Sequence, residues 1–498
     1  MRSLILYSGN DPFYLGLVWH LAAVSRKEGQ EPVMMDMTDI SAGVGDDFNR
    51  KVLRGFRSTS PEQKLSKILR DAGLETVEAH QYVTRGGDAL SSMSAGSERE
   101  IAEAVRSALI SYARDPFPDL ASGTWRKLKR SLTASARLAY LAVSAILSER
   151  PEISEVLVAN GRFPQQRAAI EAANAFERRV LFYEKGDAPD TYWLEDHSAL
   201  DRILTQRNVG RALEHLSDEE ALALGQDWMN ARSAPGSELN IYTRFFEEEG
   251  ANSPSRIPVA KRKVVGLFTS SQDEFAALGP EWHLDEWADQ WDGFGHVLNH
   301  LEQFDFDFYL RVHPNFATKS HASFVRERAN VQKLQREHPA LRIIWHDEQA
   351  NSYVLLGQTD VVVVWDSTIG LEASGRGIPV WELAASYYDL YADVRQWFSP
   401  AADPGVEVLR YTVDTSRTHR FMAYLALRHS PLPAEAISVQ SSLRPSPGLV
   451  SRVAAIASTG GAPTVRVTLA SIADALRHRR FSINMTAARR FFSRRQRA

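Results

Sequence analysis

Three polar clusters in the second half of the chain carry residue types that grip anions. Thr269-Ser270-Ser271 follows the apolar run 264–268, His313-Pro314 follows 307–312, and Asp366-Ser367-Thr368 follows four consecutive valines at 361–364. Ser367 and Thr368 would open a helix, where free backbone N–H groups and the dipole favour a phosphate. Gly370 would let a ligand approach the main chain closely. Glu372, one turn further, can reach a pair of sugar hydroxyls. An imidazolium at His313 could hydrogen-bond a phosphate oxygen and stabilise charge on a departing nucleotide. Each residue also has a plainer reading. Ser367 and Ser271 suit helix caps, Glu372 can complete a capping arrangement, and a lone histidine is often structural.

What would bring these clusters together is a parallel sheet. The spacing predicts strands over 264–268, 307–312, 342–345, 360–364 and 379–381, separated by helices over 287–304, 320–338, 352–357 and about 369–376. This alternation reads as a doubly wound α/β domain, whose ligands bind outside the carboxyl ends of the strands. The four valines mark a strand buried on both faces. An earlier α/β unit opens the chain: strand 3–7, a Gly9-Asn10 turn, a helix over 12–27 with Pro12 in its first turn, and a strand over 32–37. Residues 61–148 read as mainly helical, with a basic amphipathic stretch from Arg126 to Leu147. A second unit has strand 155–159, Asn160-Gly161-Arg162, a helix over 165–178 and strand 179–183, ending in Glu184-Lys185-Gly186.

The expected architecture is therefore two Rossmann-like doubly wound parallel-sheet domains around a central cleft. Residues 1–250 form the first, 251–263 a linker, 264–430 the second, and 431–498 a helical extension with a basic tail. A chain of 498 residues, 44% hydrophobic and 24% charged, fits two globular domains. A net charge of −4 gives no global field to recruit nucleic acid. The absence of cysteine removes disulfides and thiol chemistry and fits a reducing cytoplasmic setting. The apolar run at residues 3–7 is too short for a signal-peptide core, so the chain is expected to stay cytoplasmic or to sit peripherally on a membrane.

His313-Pro314 and, some fifty residues on, Asp366 to Ala373 resemble the His-Pro and Ser-Thr-x-Gly-x-Glu-Ala signatures of GT-B glycosyltransferases. The likeness is to bacterial capsule polysaccharide biosynthesis proteins of the Kdo-transferase kind. Asn160-Gly161-Arg162 and Glu184-Lys185-Gly186 resemble their Asn-Gly-Arg…Glu-x-Gly pattern, so the resemblance spans roughly 155–190 and 264–385. It implies a nucleotide-sugar donor held by His313, Ser367, Thr368 and Glu372 with help from Ser271, and a glycan or glycolipid acceptor. It implies no metal and no cofactor beyond the donor, a CMP-linked sugar being favoured. Asp305-Phe306-Asp307 has the spelling of a metal-binding Asp-x-Asp, but it enters its strand at the amino end, the wrong side of the sheet.

A transferase also needs a group to deprotonate the acceptor or to act as nucleophile, and it should come from the first lobe. Glu184 ranks first, ahead of Asp11 and Glu171; Arg162 could meet an acidic sugar or phosphate. The tail from Arg477 to Arg497 carries eight arginines and no acid among Phe481, Ile483, Met485, Phe491 and Phe492, a pattern suited to an anionic leaflet. The rival readings are a sugar-nucleotide epimerase, a CDP-alcohol phosphotransferase and a non-catalytic nucleotide-sugar-binding scaffold.

Overall fold

The computed structural model describes residues 2–8, 11–40, 61–121, 123–198, 201–234, 262–279, 282–348, 350–402 and 411–443. Within them the chain builds two parallel sheets with helices on both faces. The first lobe opens with β1 (Arg2–Tyr7), α1 (Pro12–Lys27) and β2 (Val33–Asp36). Pro12 occupies the first turn of α1, and the Asp11 carboxylate caps it by accepting the Phe13 N–H at 2.9 Å. Next come α2 (Pro61–Asp71) and β3 (Glu75–Glu78). A long helical hairpin follows, α3 (Ala95–Ala113) and α4 (Gly123–Glu149). β4 (Ile153–Ala159), α5 (Pro164–Ala175), β5 (Arg179–Lys185) and β6 (Thr191–Glu195) complete the lobe's main run.

The sheet order is β3-β2-β1-β4-β5, all parallel, extended by antiparallel β6. The first strand therefore has the second on one side and the fourth on the other. That reversal is the crevice where doubly wound sheets bind ligands. The sequence pattern misses β3 and β6. β3 is only half-buried, so its Glu-Thr-Val-Glu lacks the apolar run that marks an inner strand.

Two helices then cross to the other lobe, α6 (Arg202–Leu213) and α7 (Asp218–Ser233). The second sheet is β7 (Lys263–Phe268), β8 (Phe306–Arg311), β9 (Arg342–Ile344), β10 (Val361–Val364), β11 (Val380–Glu382) and the short β12 (Arg395–Gln396). Helices α8 (Gln290–Leu301), α9 (His321–Glu337) and α10 (Thr368–Gly375) connect them, and α11 (Thr415–Leu427) follows. The order β9-β8-β7-β10-β11 repeats that of the first lobe, again all parallel. The valines of β10 are fully buried, as a central strand between two helical layers requires.

The chain is exchanged between the lobes at both ends of this run. Trp228 and Met229 of α7, read from sequence as first-domain residues, pack into the second lobe's core beside Phe421 and Met422 of α11. Beyond α11, β13 (Ser430–Pro431) pairs with β6, and α12 (Ala434–Leu443) packs its Ala436 and Leu443 into the core around α1. Residues 251–261 of the expected linker and the Arg477–Arg497 tail lie outside the described residues.

Candidate functional site between two strand edges

The three second-lobe clusters do meet. The Thr269 hydroxyl accepts the His313 N–H at 2.8 Å, joining the loops after β7 and β8. The Ser270 hydroxyl accepts the Asp366 N–H at 3.3 Å, joining the loops after β7 and β10. These strands are neighbours in one parallel sheet, so their carboxyl ends necessarily open on the same edge.

The polar atoms along this edge are largely engaged with one another. Ser271 donates to Asp273 Oδ1 at 3.0 Å, and Lys319 Nζ lies 2.7 Å from Asp273 Oδ1 and 3.0 Å from Glu327 Oε1. Ser271 thus orients a buried ion network. His313 Nδ1 accepts the Asn315 N–H at 3.1 Å. Burial, with the nearby Lys319 and Arg311 cations, pushes its pKa down to about 3. The expected imidazolium is corrected on that ground: His313 is neutral and carries its proton on Nε2, so it offers a donor without charge.

On α10, the Ser367 hydroxyl accepts the Ile369 N–H and the Ser367 carbonyl accepts the Gly370 N–H, so Ser367 is the helix cap. The space above Gly370 belongs to Tyr388 and not to a ligand. A Cβ at residue 370 would stand 2.2 Å from the Tyr388 hydroxyl, which itself donates to the Ser367 carbonyl at 2.6 Å. The Thr368 hydroxyl bonds Tyr387. Glu372 is 3% exposed, pairs with Arg232 of α7 at 2.7 Å, and accepts from the Tyr353 hydroxyl at 3.1 Å. Asp366 is buried with neither carboxylate oxygen in a hydrogen bond of normal geometry, and burial pushes its pKa well up.

The first-lobe edge is arranged differently. Asn160 and Gly161 follow β4 with φ of 57° and 86°. At Gly161 a side chain would strike the Phe182 ring, so this left-handed turn needs glycine. The turn aims Asn160 at β5: its Nδ2 donates to Glu184 Oε2 at 2.5 Å, while the Tyr14 hydroxyl and the Lys185 N–H donate to Oε1. Burial pushes the Glu184 pKa up to about 7, Lys185 opposing and Asp11 adding to the rise. Tyr14 and Asn160 line a cavity of about 150 Å³ with Tyr7, Ser8, Gln165 and Gln166, set at the β1/β4 crevice. Asp11 stands exposed as the cap of α1. Glu171 acts electrostatically on Tyr140 of α4, which places it behind the sheet and not on this edge.

The two edges face each other. Arg114 approaches Asp273 and Glu274 at 3.7 Å, and Asp115 pairs with Arg326 of α9 at 2.5 Å. Arg162, half-buried after β4, feels Glu274 after β7, and burial lowers its pKa against that attraction. Asp187, just past β5, acts on Arg232 and Tyr387, and pairs with Arg428 at 3.7 Å. Sequence reasoning missed Tyr14, Arg232, Tyr353, Tyr387 and Arg428. They sit on helices or loops outside any recognisable spacing, and only the crossing of α6 and α7 between lobes brings Arg232 here. Asp305 stands at the amino end of β8 and pairs with Arg262 at 2.8 Å, away from this cleft.

No protein-family profile matches the chain, and none of the curated proteins is similar to it in sequence. Among solved structures it is similar to Thermosulfurimonas dismutans KpsC, a beta Kdo 2,4 transferase, at 15% identity over 56% of this chain and 80% of that one, TM-score 0.38. It is similar to a glycosyltransferase from Rickettsia africae at 9% identity over 89% and 98%, TM-score 0.30. It is also similar to a Neisseria meningitidis UDP-GlcNAc 2-epimerase bound to UDP-GlcNAc at 12% identity over 89% and 100%, TM-score 0.28. Likenesses this distant add nothing to the sheet orders and facing loops described above, which carry the two-lobe assignment on their own.

Proposed function

We propose that the chain is a glycosyltransferase that moves a sugar from a nucleotide donor, seated on the second lobe, to an acceptor hydroxyl in the first-lobe pocket. The observation that carries this reading is the confrontation of two strand edges, one bearing a carboxyl group tuned near neutrality and the other a helix start ringed by Tyr387, Arg232 and Arg428. The donor phosphate would lie against the first turn of α10, where the helix dipole and the two guanidinium groups favour negative charge. The neutral His313 would donate through Nε2 to the departing nucleotide. For Glu372 to hold ribose, Arg232 must turn from it toward the phosphate.

In the acceptor pocket Tyr14 lies between Glu184 and the cavity. As the acceptor oxygen attacks the anomeric carbon, its proton passes to the Tyr14 oxygen while the Tyr14 proton moves to Glu184. The bond from the anomeric carbon to the phosphate oxygen breaks, and the nucleotide leaves with that electron pair. A base with a pKa of about 7 is well matched to this task. A bacterial surface polysaccharide or glycolipid acceptor, a cytoplasmic setting and independence from metal belong to the same proposal.

The test is calorimetric titration of the full chain with CMP, UDP, GDP and CDP. One nucleotide should bind, and binding should weaken in Glu372→Ala and Arg428→Gln. Absence of binding by all four overturns the reading. Isomerised sugar formed without any acceptor would transfer the assignment to an epimerase.

A further inference from the structure

The basic stretch that begins at Arg126 is not used by the cleft. It forms the first half of α4, where residues 123–137 contain five cations and no acid. Arg126, Lys127, Lys129, Arg130 and Arg137 are all exposed, and none makes an ion pair among the described residues. At 100° per residue, Arg126, Arg130 and Arg137 fall within about 40° of one another, with the two lysines flanking them. Leu128 and Leu132, on the opposite side, are buried against Val105, Ala108 and Leu109 of α3. Of the nearby acids, Glu103 pairs with Arg106, Glu100 with Arg167 and Asp115 with Arg326, while Asp119 accepts the Ala121 N–H.

The position of this face follows from topology. α4 leads into the amino end of β4, so its own amino end lies on the carboxyl-edge side of the sheet. Its 27 residues span roughly 40 Å, against roughly 23 Å for the seven residues of β4. The basic half therefore overhangs the edge on which the pocket opens, and Gln165 of the pocket wall bonds Ser135 of α4 at 2.8 Å. By length and composition α4 from Trp125 onward could cross a membrane, but its most apolar window is 61% buried inside the lobe, so it is a core helix. Two apolar side chains are nonetheless exposed where the loop before α4 meets α9. Phe117, on the loop leading into α4, is 56% exposed beneath Arg326, and Val325, adjoining that arginine on α9, is 51% exposed.

We propose that the exposed face of the first half of α4, together with Phe117 and Val325, docks on an anionic lipid leaflet and sets the mouth of the cleft against it. Unpaired cations in register supply long-range attraction to acidic headgroups, and exposed apolar side chains enter the interface. A soluble polyanion would use the cations alone and leave Phe117 and Val325 without a purpose. This inference is independent of the reaction proposed for the cleft, and also of the Arg477–Arg497 tail.

The test is co-sedimentation of the full chain with equimolar phosphatidylglycerol/phosphatidylcholine vesicles, beside pure phosphatidylcholine vesicles. The wild type should partition onto the anionic vesicles only. Combined Arg126→Gln, Arg130→Gln and Arg137→Gln should weaken partitioning by roughly tenfold or more. The corresponding lysine triple should keep it, with circular dichroism confirming that all variants are folded. Phe117→Ser should lower vesicle binding without changing retention by soluble polygalacturonate. Equal sedimentation of the glutamine triple and the wild type overturns the proposal. So does failure of the wild type to bind anionic vesicles, or binding to polygalacturonate as tight as to vesicles with no effect of Phe117→Ser.

Discussion

The carboxyl edges of the two sheets have the same strand order and opposite chemistry. In the second lobe nearly every polar side chain is answered by another: Ser271 by Asp273, Asp273 by Lys319, Glu372 by Arg232, Thr368 by Tyr387. In the first lobe a cavity lies open, and behind it stands a carboxyl group whose partners are a hydroxyl, a side-chain amide and a main-chain N–H, with no cation paired to it among the described residues. A carboxylate without a counter-ion in a half-buried place has its pKa raised, and this is the state a general base needs. The second lobe is an assembled scaffold that must give up an ion pair to admit a ligand. The first is poised without rearrangement.

The sharpest way to break this comparison is to remove the poised group. Glu184→Gln keeps the shape and the three donors around it but cannot take a proton. Transfer should fall about 10²- to 10⁴-fold in kcat, with nucleotide affinity unchanged by calorimetry. Tyr14→Phe should lower kcat in the same direction by interrupting the relay. If Glu184→Gln retains full turnover, the base lies elsewhere and the contrast between the edges loses its catalytic meaning.

The next effect concerns the second edge. Arg232→Gln leaves the buried Glu372 carboxylate with Tyr353 as its one hydrogen-bond partner among the described residues, and breaking a buried pair from one side costs about 3–5 kcal/mol. Chemical denaturation should read that loss. Glu372→Gln in the same chain should recover most of it, because the orphaned charge is gone. A single-variant loss below about 1 kcal/mol would mean the pair is solvated, as surface pairs are.

Glu184 also carries a pH signature opposite to that of a salt-bridged carboxylate. Its folded pKa of about 7 lies above the ordinary value of 4.5, so between those values the folded chain holds a proton that the unfolded chain has released. Stability from this group is therefore complete below about pH 4.5 and is lost as pH rises through 7, by up to about 3 kcal/mol. Asp366 contributes with the same sign. The difference between wild type and Glu184→Gln, from denaturation midpoints at pH 5 and pH 8, isolates the Glu184 share. A wild type that gains stability relative to the variant as pH rises would reverse the sign and refute the burial argument.

Much of the scaffold was legible because buried parallel strands write themselves as apolar runs. The four valines of β10 and the Asp11-Pro12 start of α1 could hardly form anything else. Half-buried β3 and antiparallel β6 were not, since their residues face partly to solvent. The clustering of Thr269, His313 and Asp366 followed from strand order alone, and so did the place of Glu184. The partners of those residues did not follow. Pairing of Glu372 with Arg232 depends on α7 crossing to the second lobe, and the neutrality of His313 depends on burial and on the nearby Lys319 and Arg311 cations. Both are tertiary facts that no local spacing encodes.

Gly370 offers the smallest effect and the finest distinction. Read from sequence, it makes room for a ligand; in the structure the Tyr388 hydroxyl fills that room and ties β11's following loop to the cap of α10. A methyl group at residue 370 would have to push that hydroxyl away, with Val364 Cγ2 a further 3.1 Å contact, so Gly370→Ala should destabilise the fold by about 1–3 kcal/mol as overpacking does. Adding Tyr388→Phe removes the oxygen nearest the new methyl and should return part of that loss, read as a shift in thermal midpoint. If the glycine instead served ligand approach, Gly370→Ala would leave the thermal midpoint alone and weaken nucleotide binding, and Tyr388→Phe would rescue neither. The two readings thus part on which quantity moves, stability or affinity, and on whether removing one oxygen on a neighbouring loop repairs it.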